Sequence, residues 1–380
     1  MSDQPIRAAV IGTGFIGNAH IESLRRIGVS VAGVLGHDEA YTRREAARLG
    51  VRPYLSLEDL LYDREVSVVH QCGPNTVHAA QNLLALQAGK HVFSEKPLGV
   101  SVAECQRQVE AARLSGTCTA VNFTYRGYAA VQQLRDLVLS GELGELKYVR
   151  GHYLQDWLLL NSDHNWRTEA PAEDTRTVAD IGSHLADLTR YVTGREQERV
   201  LARFSRMHDT RLRPERATAT FSESGEAGTP YPVHTEDQAS VWVDYQGGLR
   251  ASFELSQVAA GHKNDLMIEL LGTRGSATWR QEEPEQIVLG SRADERRILL
   301  KQPGHPFTHY PPGHPEGLPD AITNVIRAFY ATLEGRPTPY PTFQDGLAAA
   351  HFTEGAYRSQ LRGEWALLPA VGAQVQEVAR

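Results

Sequence analysis

Two short stretches of this sequence carry side chains that could exchange a proton near neutral pH. The first is Glu95-Lys96-Pro97, and its lysine stands out because the chain contains only five lysines against 34 arginines. An ammonium group can lose or relay a proton, whereas a guanidinium stays charged. Lys96 is therefore a candidate for acid-base chemistry. The alternative for an isolated Glu-Lys-Pro is a surface lysine before a turn.

The second stretch is a predicted helix over residues 178–192 that carries Asp180, His184 and Asp187. The spacing places the three side chains on one helical face. A histidine beside a carboxylate is typical of a general base. A metal pair formed by Asp180 and His184 is a weaker alternative, because no third ligand has a matching spacing, and we predict no metal. A third interpretation is that these residues form an Asp-His pair on a solvated helix face without a functional role.

The elements that precede these residues decide where they lie. Residues 90–94 form a predicted buried strand, so Lys96 falls at the carboxyl end of a parallel strand, where open α/β sheets bind ligands. Near the N-terminus, a strand over residues 7–11 is followed by Gly12, Gly14 and Gly17 and then by a helix. Strand, G-x-G-x-x-G and helix in this order are the dinucleotide-binding fingerprint. The glycines allow a tight turn, close approach to a pyrophosphate and close helix packing.

The residues after the second predicted strand, 29–35, bear on cofactor choice. An acidic residue normally binds the ribose 2′-hydroxyl of NAD at this point. Here that position falls on Gly36. Asp38 is close enough in sequence to take the role, whereas His37 and Arg43 favour the 2′-phosphate of NADP. The sequence therefore leaves NAD and NADP open.

The order of predicted elements indicates two domains. Strands alternate with helices up to residue 122, which predicts a doubly wound parallel sheet in a first domain over residues 1–122. The remainder, 123–380, is predicted to be an α/β domain with a large, mostly antiparallel open sheet. Its predicted strands lie at 146–154, 200–205, 239–245, 249–257, 266–271 and 276–280, and its predicted helices at 129–139, 178–192, 320–333 and 343–360, with a long loop at 302–319.

Composition narrows the class of protein. A net charge of −7 without a basic stripe argues against a nucleic-acid partner, and no apolar run is long enough to span a bilayer. Without a predicted signal peptide, we expect a cytoplasmic location. The three cysteines have neither the number nor the spacing of a disulfide framework or a zinc site.

Four motifs in this order resemble the Gfo/Idh/MocA family, which includes glucose-fructose oxidoreductase and inositol dehydrogenase. They are Gly12-x-Gly14-x-x-Gly17, Pro74-Asn75-Thr76-x-His78, Glu95-Lys96-Pro97 and Asp180-x-Gly182-x-His184-x-x-Asp187. Gln155-Asp156-Trp157 and Gly313-His314-Pro315-Glu316-Gly317 are similar to patterns of its levoglucosan dehydrogenase-like subgroup. The resemblance implies an N-terminal Rossmann domain, a Lys96-Pro97 peptide that is often cis, and a homodimer or homotetramer.

The resemblance also implies roles for individual residues. Lys96, Asp180 and His184 would be catalytic. The cofactor-binding residues would be Gly12, Gly14, Phe15, Ile16, Gly17, His37, Cys72, Pro74, Asn75, His78, Glu95, Lys96, Asn122, Trp166 and Arg167. The candidate substrate contacts are Lys96, Tyr125, Arg126, Gln155, Asn165, Asp180, His184 and His314.

The function expected from these residues is NAD(P)-dependent hydride transfer between nicotinamide and a secondary alcohol or ketone carbon of a sugar or cyclitol. Two alternatives remain open. One is a non-catalytic nucleotide-binding sensor or scaffold, since fold does not determine function. The other is a glycoside-cleaving enzyme that oxidises its substrate transiently.

Overall fold

The described residues form two large β-sheets and one two-stranded hairpin, and helices from the last third of the chain pack on both faces of the first sheet. The computed structural model describes residues 5–171, 174–215, 228–293 and 296–371. Within these ranges, no helix combines the length and the apolar character that crossing a lipid bilayer requires.

The first sheet has six strands, all parallel to their neighbours. They are β1 (Arg7–Ile11), β2 (Ser30–Leu35), β3 (Arg52–Pro53), β4 (Val68–Gln71), β5 (His91–Ser94) and β6 (Thr119–Val121). Their order is β3-β2-β1-β4-β5-β6. The order reverses between β1 and β4, and such a switch point is where doubly wound sheets bind ligands. The predicted doubly wound parallel sheet is confirmed.

Five helices connect these strands. They are α1 (Phe15–Arg26), α2 (Glu39–Leu49), α3 (Leu57–Tyr62), α4 (Asn75–Gln87) and α5 (Val102–Ser115). The Asp38 carboxylate accepts a hydrogen bond from Tyr41 N at the start of α2, and Ser101 accepts one from Glu104 N at the start of α5. Side-chain caps of this kind satisfy backbone N–H groups that have no partner in the first helical turn.

The second sheet has nine strands. They are β7 (Leu146–Leu154), β8 (Gln197–Ser205), β11 (Gln238–Tyr245), β12 (Leu249–Ser256), β13 (Asp265–Gly272), β14 (Ser276–Arg280), β15 (Gln286–Gly290), β16 (Arg296–Leu300) and β17 (Ala366–Leu367), and a separate hairpin pairs β9 (Thr210–Arg213) with β10 (Thr229–Pro232). Strands β7 and β12 are parallel, and the other neighbours are antiparallel. The mostly antiparallel sheet is confirmed. The prediction missed β9, β10 and β15–β17, which are short and show little apolar alternation.

Four more helices complete the described chain: α6 (Ala129–Leu139), α7 (Ser183–Thr193), α8 (Leu318–Leu333) and α9 (Phe343–Arg362). Residues of α6 and α7 share a core with the second sheet. Helix α8 packs against α1, and α9 packs against α5. Helix α9 also packs against β8, so α8 lies against the first sheet and α9 contacts both sheets, and the division at residue 122 stays a prediction.

The stretch 178–192 differs from the single α-helix that was predicted. A π-helical turn, Val178–Gly182, precedes α7. The wider turn changes the spacing before α7, and the two carboxylates have different partners: Asp180 pairs with Lys96, and Asp187 pairs with Arg126. A side chain at Gly182 would lie 2.7 Å from Leu255 Cδ1, which accounts for the glycine. Single π turns occur frequently at functional sites.

Candidate active site

Lys96 and Asp180 meet between the two sheets. Lys96 follows the end of β5 by two residues, and its peptide bond to Pro97 is cis. Its Nζ atom donates hydrogen bonds to the Asp180 Oδ1 atom at 2.9 Å and to the Asp180 carbonyl oxygen at 3.1 Å. The two stretches that the sequence singled out are therefore brought into direct contact.

The Asp180 carboxylate is surrounded by donors. Gln257 Nε2 donates to its Oδ2 atom at 2.9 Å, and Arg167 Nε lies 3.7 Å from Oδ1. Burial alone would raise the pKa of Asp180, but the charges of Lys96 and Arg167 outweigh it and hold that pKa well below its usual range. Asp180 is therefore an ionised hydrogen-bond acceptor, and the interpretation as a solvated Asp-His pair is wrong.

His184 lies in an aromatic cage. Its ring centroid is 5.0 Å from that of Tyr125, 6.1 Å from that of Phe123 and 6.3 Å from that of Tyr153. Its Nδ1 atom is buried without a hydrogen-bond partner in the described residues. Burial and, second, the charge of Lys96 hold the pKa of His184 well below its usual value. The ring is therefore neutral at pH 7 and can accept a proton.

A polar cluster adjoins this cage. Tyr153 donates to Asn264 Oδ1 at 2.6 Å, Asn264 Nδ2 donates to the Tyr125 hydroxyl at 3.2 Å, and the two tyrosine oxygens are 2.5 Å apart. Gln155 Nε2 donates to Asn264 Oδ1 at 3.0 Å and accepts a hydrogen bond from Trp157 Nε1 at 2.9 Å. Of the candidate substrate contacts, Tyr125 and Gln155 thus lie together.

A cavity of about 380 Å³ opens in front of Lys96 and Asp180. Asn75 from the start of α4, the segment 97–102, Trp166 with Arg167, and one face of α9 line its other sides. Its volume falls within the range of small-molecule sites. The ring of Trp166 is half exposed, and the Arg167 guanidinium stacks over it, 4.5 Å from the ring centroid.

The glycine turn before α1 has the shape that a pyrophosphate needs. A side chain at Gly12 would lie 2.5 Å from the Cys72 carbonyl oxygen, and one at Gly17 would lie 1.9 Å from the Gly12 carbonyl oxygen. The position beside Gly14 is open, and the first turn of α1 holds no acidic residue. An anion can therefore approach the backbone here and meet the positive end of the helix. Phe15, which is largely exposed, and Ile16 form this first turn.

The end of β2 has no room for an acidic side chain at the usual place. A Cβ atom on Gly36 would lie 2.5 Å from Tyr41 Cδ1 and 2.9 Å from Thr42 Oγ1. The next carboxylate, Asp38, caps α2 and lies 3.1 Å from His37 Nε2. Both side chains are more than half exposed, so a ribose can reach them.

Two predicted cofactor contacts, Glu95 and Asn122, face inward. Both are buried, and Asn122 Nδ2 donates to Glu95 Oε1 at 2.6 Å, with His20 Nε2 2.9 Å from the same oxygen. The Asn122 amide N–H and the Glu95 carboxylate are paired with each other, while Asn122 Oδ1 has no hydrogen-bond partner among the described residues, and direct cofactor contact stays a prediction for both side chains.

The Pro74-Asn75-Thr76-x-His78 motif connects two loops at the sheet edge. Pro74 precedes α4, and Asn75 is its first residue and lines the cavity. His78 is buried, with Nδ1 2.7 Å from the Pro97 carbonyl oxygen and Nε2 2.8 Å from that of Gly73. Its ring thus connects the turn at Gly73, after β4, with the Lys96-Pro97 peptide.

Three candidate substrate contacts lie elsewhere. Arg126 is buried, and it pairs with the carboxylates of Asp187 and Asp345. Asn165 caps the short turn that carries Arg167. His314 is exposed on the loop between β16 and α8, away from the cavity lining. Their polar character was the signal for each, and their role as substrate contacts stays a prediction.

Several residues of the site were not predicted from the sequence. Phe123, Tyr153, Gln257 and Asn264 complete the cage, the carboxylate site and the polar cluster. Tyr153 and Gln257 lie in or just after strands whose alternation predicts a core-facing side. That alternation could have identified their face, but it carries no information about which helix covers it.

Comparison with known proteins places this site in a family. Residues 6–123 match the oxidoreductase family with an NAD-binding Rossmann fold, and residues 131–278 match the GFO/IDH/MocA C-terminal domain. The levoglucosan dehydrogenase of Pseudarthrobacter phenanthrenivorans is 28% identical, over 97% of this chain and 100% of the relative.

Solved structures of similar proteins have the same fold. An oxidoreductase domain protein from Kribbella flavida superposes with a TM-score of 0.88 at 29% identity, covering 97% of this chain and 100% of that one. An inositol dehydrogenase homologue from Azotobacter vinelandii, in complex with NADH and myo-inositol, gives a TM-score of 0.82 at 25% identity, covering 96% and 98%. The fingerprint before α1, the Lys96–Asp180 contact and both matched domains lead to one conclusion: this chain belongs to the Gfo/Idh/MocA family of NAD-binding oxidoreductases.

Proposed function

We propose that this chain is an NAD(P)-dependent dehydrogenase that moves a hydride between nicotinamide C4 and a secondary alcohol or ketone carbon of a sugar or cyclitol. Residues 1–122 would bind the cofactor, and residues 123–380 would bind the substrate. The observation that carries the proposal is the direct contact of Lys96 with Asp180, beside a neutral His184 and at the edge of a cavity.

The three catalytic roles follow from the charges of the site. The neutral His184 would remove the hydroxyl proton as the alcohol is oxidised. The Lys96 ammonium would donate a hydrogen bond to the developing alkoxide, and Asp180 would hold that ammonium in place. The nicotinamide would supply the hydride acceptor and donor.

The polar cluster supports a polyol substrate. Tyr125, Tyr153, Gln155 and Asn264 present hydroxyl and amide groups, which can donate and accept hydrogen bonds as sugar hydroxyls do. Similar proteins include a levoglucosan dehydrogenase and a homologue that binds myo-inositol. We therefore propose Tyr125 and Gln155 as substrate contacts and extend the set to Tyr153 and Asn264.

The cofactor site would combine the glycine turn with the residues at the end of β2. Gly12, Gly14, Phe15, Ile16 and Gly17 would bind the pyrophosphate. Asp38 is the carboxylate available for the ribose, while the Arg43 guanidinium is paired with Glu39. We therefore propose that NAD is preferred over NADP. The other cofactor contacts proposed are His37, Cys72, Asn75, Trp166 and Arg167.

The open face of the second sheet supports a homodimer or homotetramer. Trp242, near the middle of β11, is 42% exposed, with Leu201 and Ser252 as its cross-strand neighbours. An exposed aromatic residue within a sheet face is typical of an interface. The cytoplasmic location and the absence of nucleic-acid and membrane partners remain predictions from composition.

The test is a panel of sugars and cyclitols assayed with NAD and NADP in parallel. We expect turnover of at least one substrate, lost in Lys96→Ala and His184→Ala while both variants still bind NADH by fluorescence titration. Undiminished turnover in either variant would contradict the assignment. Binding of NADH without turnover of any substrate would favour the sensor. Release of an aglycone without net cofactor reduction would favour glycoside cleavage.

A further inference from the structure

A chain of buried hydrogen-bonding groups leads from α8 through the first sheet to the backbone of Lys96. The Tyr330 hydroxyl lies 2.9 Å from His70 Nε2, and His70 Nδ1 lies 3.0 Å from His20 Nδ1. His20 Nε2 lies 2.9 Å from Glu95 Oε1, and the other carboxylate oxygen, Oε2, accepts a hydrogen bond from Lys96 N at 3.2 Å. Both histidines are fully buried.

The contacts determine where the protons lie. Burial raises the pKa of Glu95, but the hydrogen bonds from His20 and Asn122 outweigh it and lower that pKa, so the carboxylate only accepts. His20 Nε2 must therefore be an N–H donor. Burial holds the pKa of His70 well below its usual value, so that ring is neutral and carries one N–H group.

With both imidazoles neutral, one arrangement satisfies the contacts from Tyr330 to Glu95, and the Cys72 thiol, 3.3 Å from His20 Nδ1, faces the same acceptor. His20 carries its proton on Nε2, His70 carries its proton on Nδ1 and donates to His20 Nδ1, and the Tyr330 hydroxyl donates to His70 Nε2. Burial raises the pKa of Tyr330 well above its usual value, so it remains a donor. A buried donor or acceptor left unpaired is destabilising, and this arrangement leaves none of these contacts unpaired.

We propose that His20, His70 and Tyr330 are positioning residues for Lys96. They hold the Glu95 carboxylate in one place, and that carboxylate in turn holds the backbone N–H from which the Lys96 side chain extends toward Asp180. The proposal rests on the proposed function, because it assigns these residues to the lysine that the proposed reaction uses. It concerns groups on α1, β4 and α8, outside the cavity.

Two substitutions at His70 separate positioning from packing. The His70 ring stacks on Phe93, with centroids 5.0 Å apart and an interplanar angle of 12°. His70→Phe keeps an aromatic ring but removes the donor to His20. His70→Asn loses the ring but keeps an amide N–H close to the place of Nδ1. If His70 only fills space, the Phe variant will be the better enzyme; if it positions Lys96, the Asn variant will be.

We expect His70→Phe to lower kcat about 10- to 100-fold, the size of effect that a small misplacement of a catalytic group produces. The dissociation constant for NADH should stay unchanged, and His70→Asn should recover most of the lost kcat. Tyr54→Phe is the control. It removes a hydroxyl that is hydrogen-bonded to Asp63 in the same domain, and Tyr54 contacts none of the residues from Tyr330 to Glu95 that form the proposed hydrogen-bond series. Wild-type kcat in His70→Phe, or a lower kcat in the Asn variant than in the Phe variant, would overturn the proposal.

A second measurement does not depend on turnover. The chain has only five lysines, so ε-¹³C-lysine labelling gives few resonances, and Lys96→Arg identifies the one from Lys96. We expect this resonance to shift in His70→Phe and to return toward its wild-type position in His70→Asn. A resonance that does not move in His70→Phe overturns the proposal. If it moves while no sugar is turned over, the proposed function fails and the positioning role stands.

Discussion

Replacing His184 by leucine is predicted to stabilise the protein while abolishing its activity. The imidazole lies among the rings of Phe123, Tyr125 and Tyr153, and its buried Nδ1 atom has no hydrogen-bond partner in the described residues. The fold thus maintains a polar atom at a position where an apolar side chain would pack as well. A loss of stability of this kind is typical of a functional site.

The magnitudes follow from that arrangement. A buried polar atom without a partner costs about 1–3 kcal/mol, so His184→Leu should raise the free energy of unfolding by about that amount. Loss of a general base should lower kcat by about 10²- to 10⁴-fold. His184→Asn is the matched control: it should lose the same activity without the gain in stability, because its amide is polar as well.

The assay combines urea unfolding with steady-state kinetics. The shift in the urea midpoint reports the change in stability when the slope of the transition is unchanged. Turnover is measured on the best substrate of the sugar panel, and NADH binding is measured by fluorescence. A leucine variant less stable than the wild type would refute the interpretation of Nδ1. A kcat within tenfold of the wild type would refute His184 as the base.

Four other substitutions or conditions test the site. Asp180→Asn removes a charge-assisted hydrogen bond to Lys96 worth about 1.5–3 kcal/mol, so kcat/KM should fall about 10- to 150-fold; an unchanged value would exclude the orienting role. In pH-rate profiles of the wild type, kcat/KM for oxidation should be flat across neutral pH and fall only in acid, because burial lowers the pKa of His184; a limb above pH 7 would point to another base. Arg126→Ala leaves two buried carboxylates less paired and should destabilise the protein by about 3–5 kcal/mol in urea unfolding, whereas a small effect would restore its candidacy as a substrate contact. Asp38→Ala should raise the kcat/KM ratio of NADP to NAD, and a constant ratio would show that this carboxylate does not select the cofactor.

Local structure was largely predictable from sequence. The bounds of α6 and β7 agree with the prediction, and α1 begins directly after the glycine turn. Glycines at turns, capping side chains and apolar periodicity act between residues a few positions apart. These signals are present in the linear order of the chain and need no knowledge of distant contacts.

The candidate site was predicted only in part. Lys96, Asp180 and His184 were identified by type and motif, whereas Arg126 was assigned to the substrate although it is taken up by a buried ion pair. The π-helical turn was missed as well, because it differs from an α-helix by one residue of spacing. Polar residue types alone do not distinguish a ligand contact from an internal pair.

The sequence by itself determined the family, the doubly wound sheet and the position of Lys96 at a strand end, because turn chemistry and periodicity are local properties. Only the tertiary structure decided that Lys96 contacts Asp180, 84 residues away, and that His184 is partly buried in an aromatic cage contributed by β7 and the segment after β6. That burial makes the imidazole neutral at pH 7, since desolvation disfavours its charged form. Its protonation state therefore depends on packing between distant segments, which no local pattern encodes.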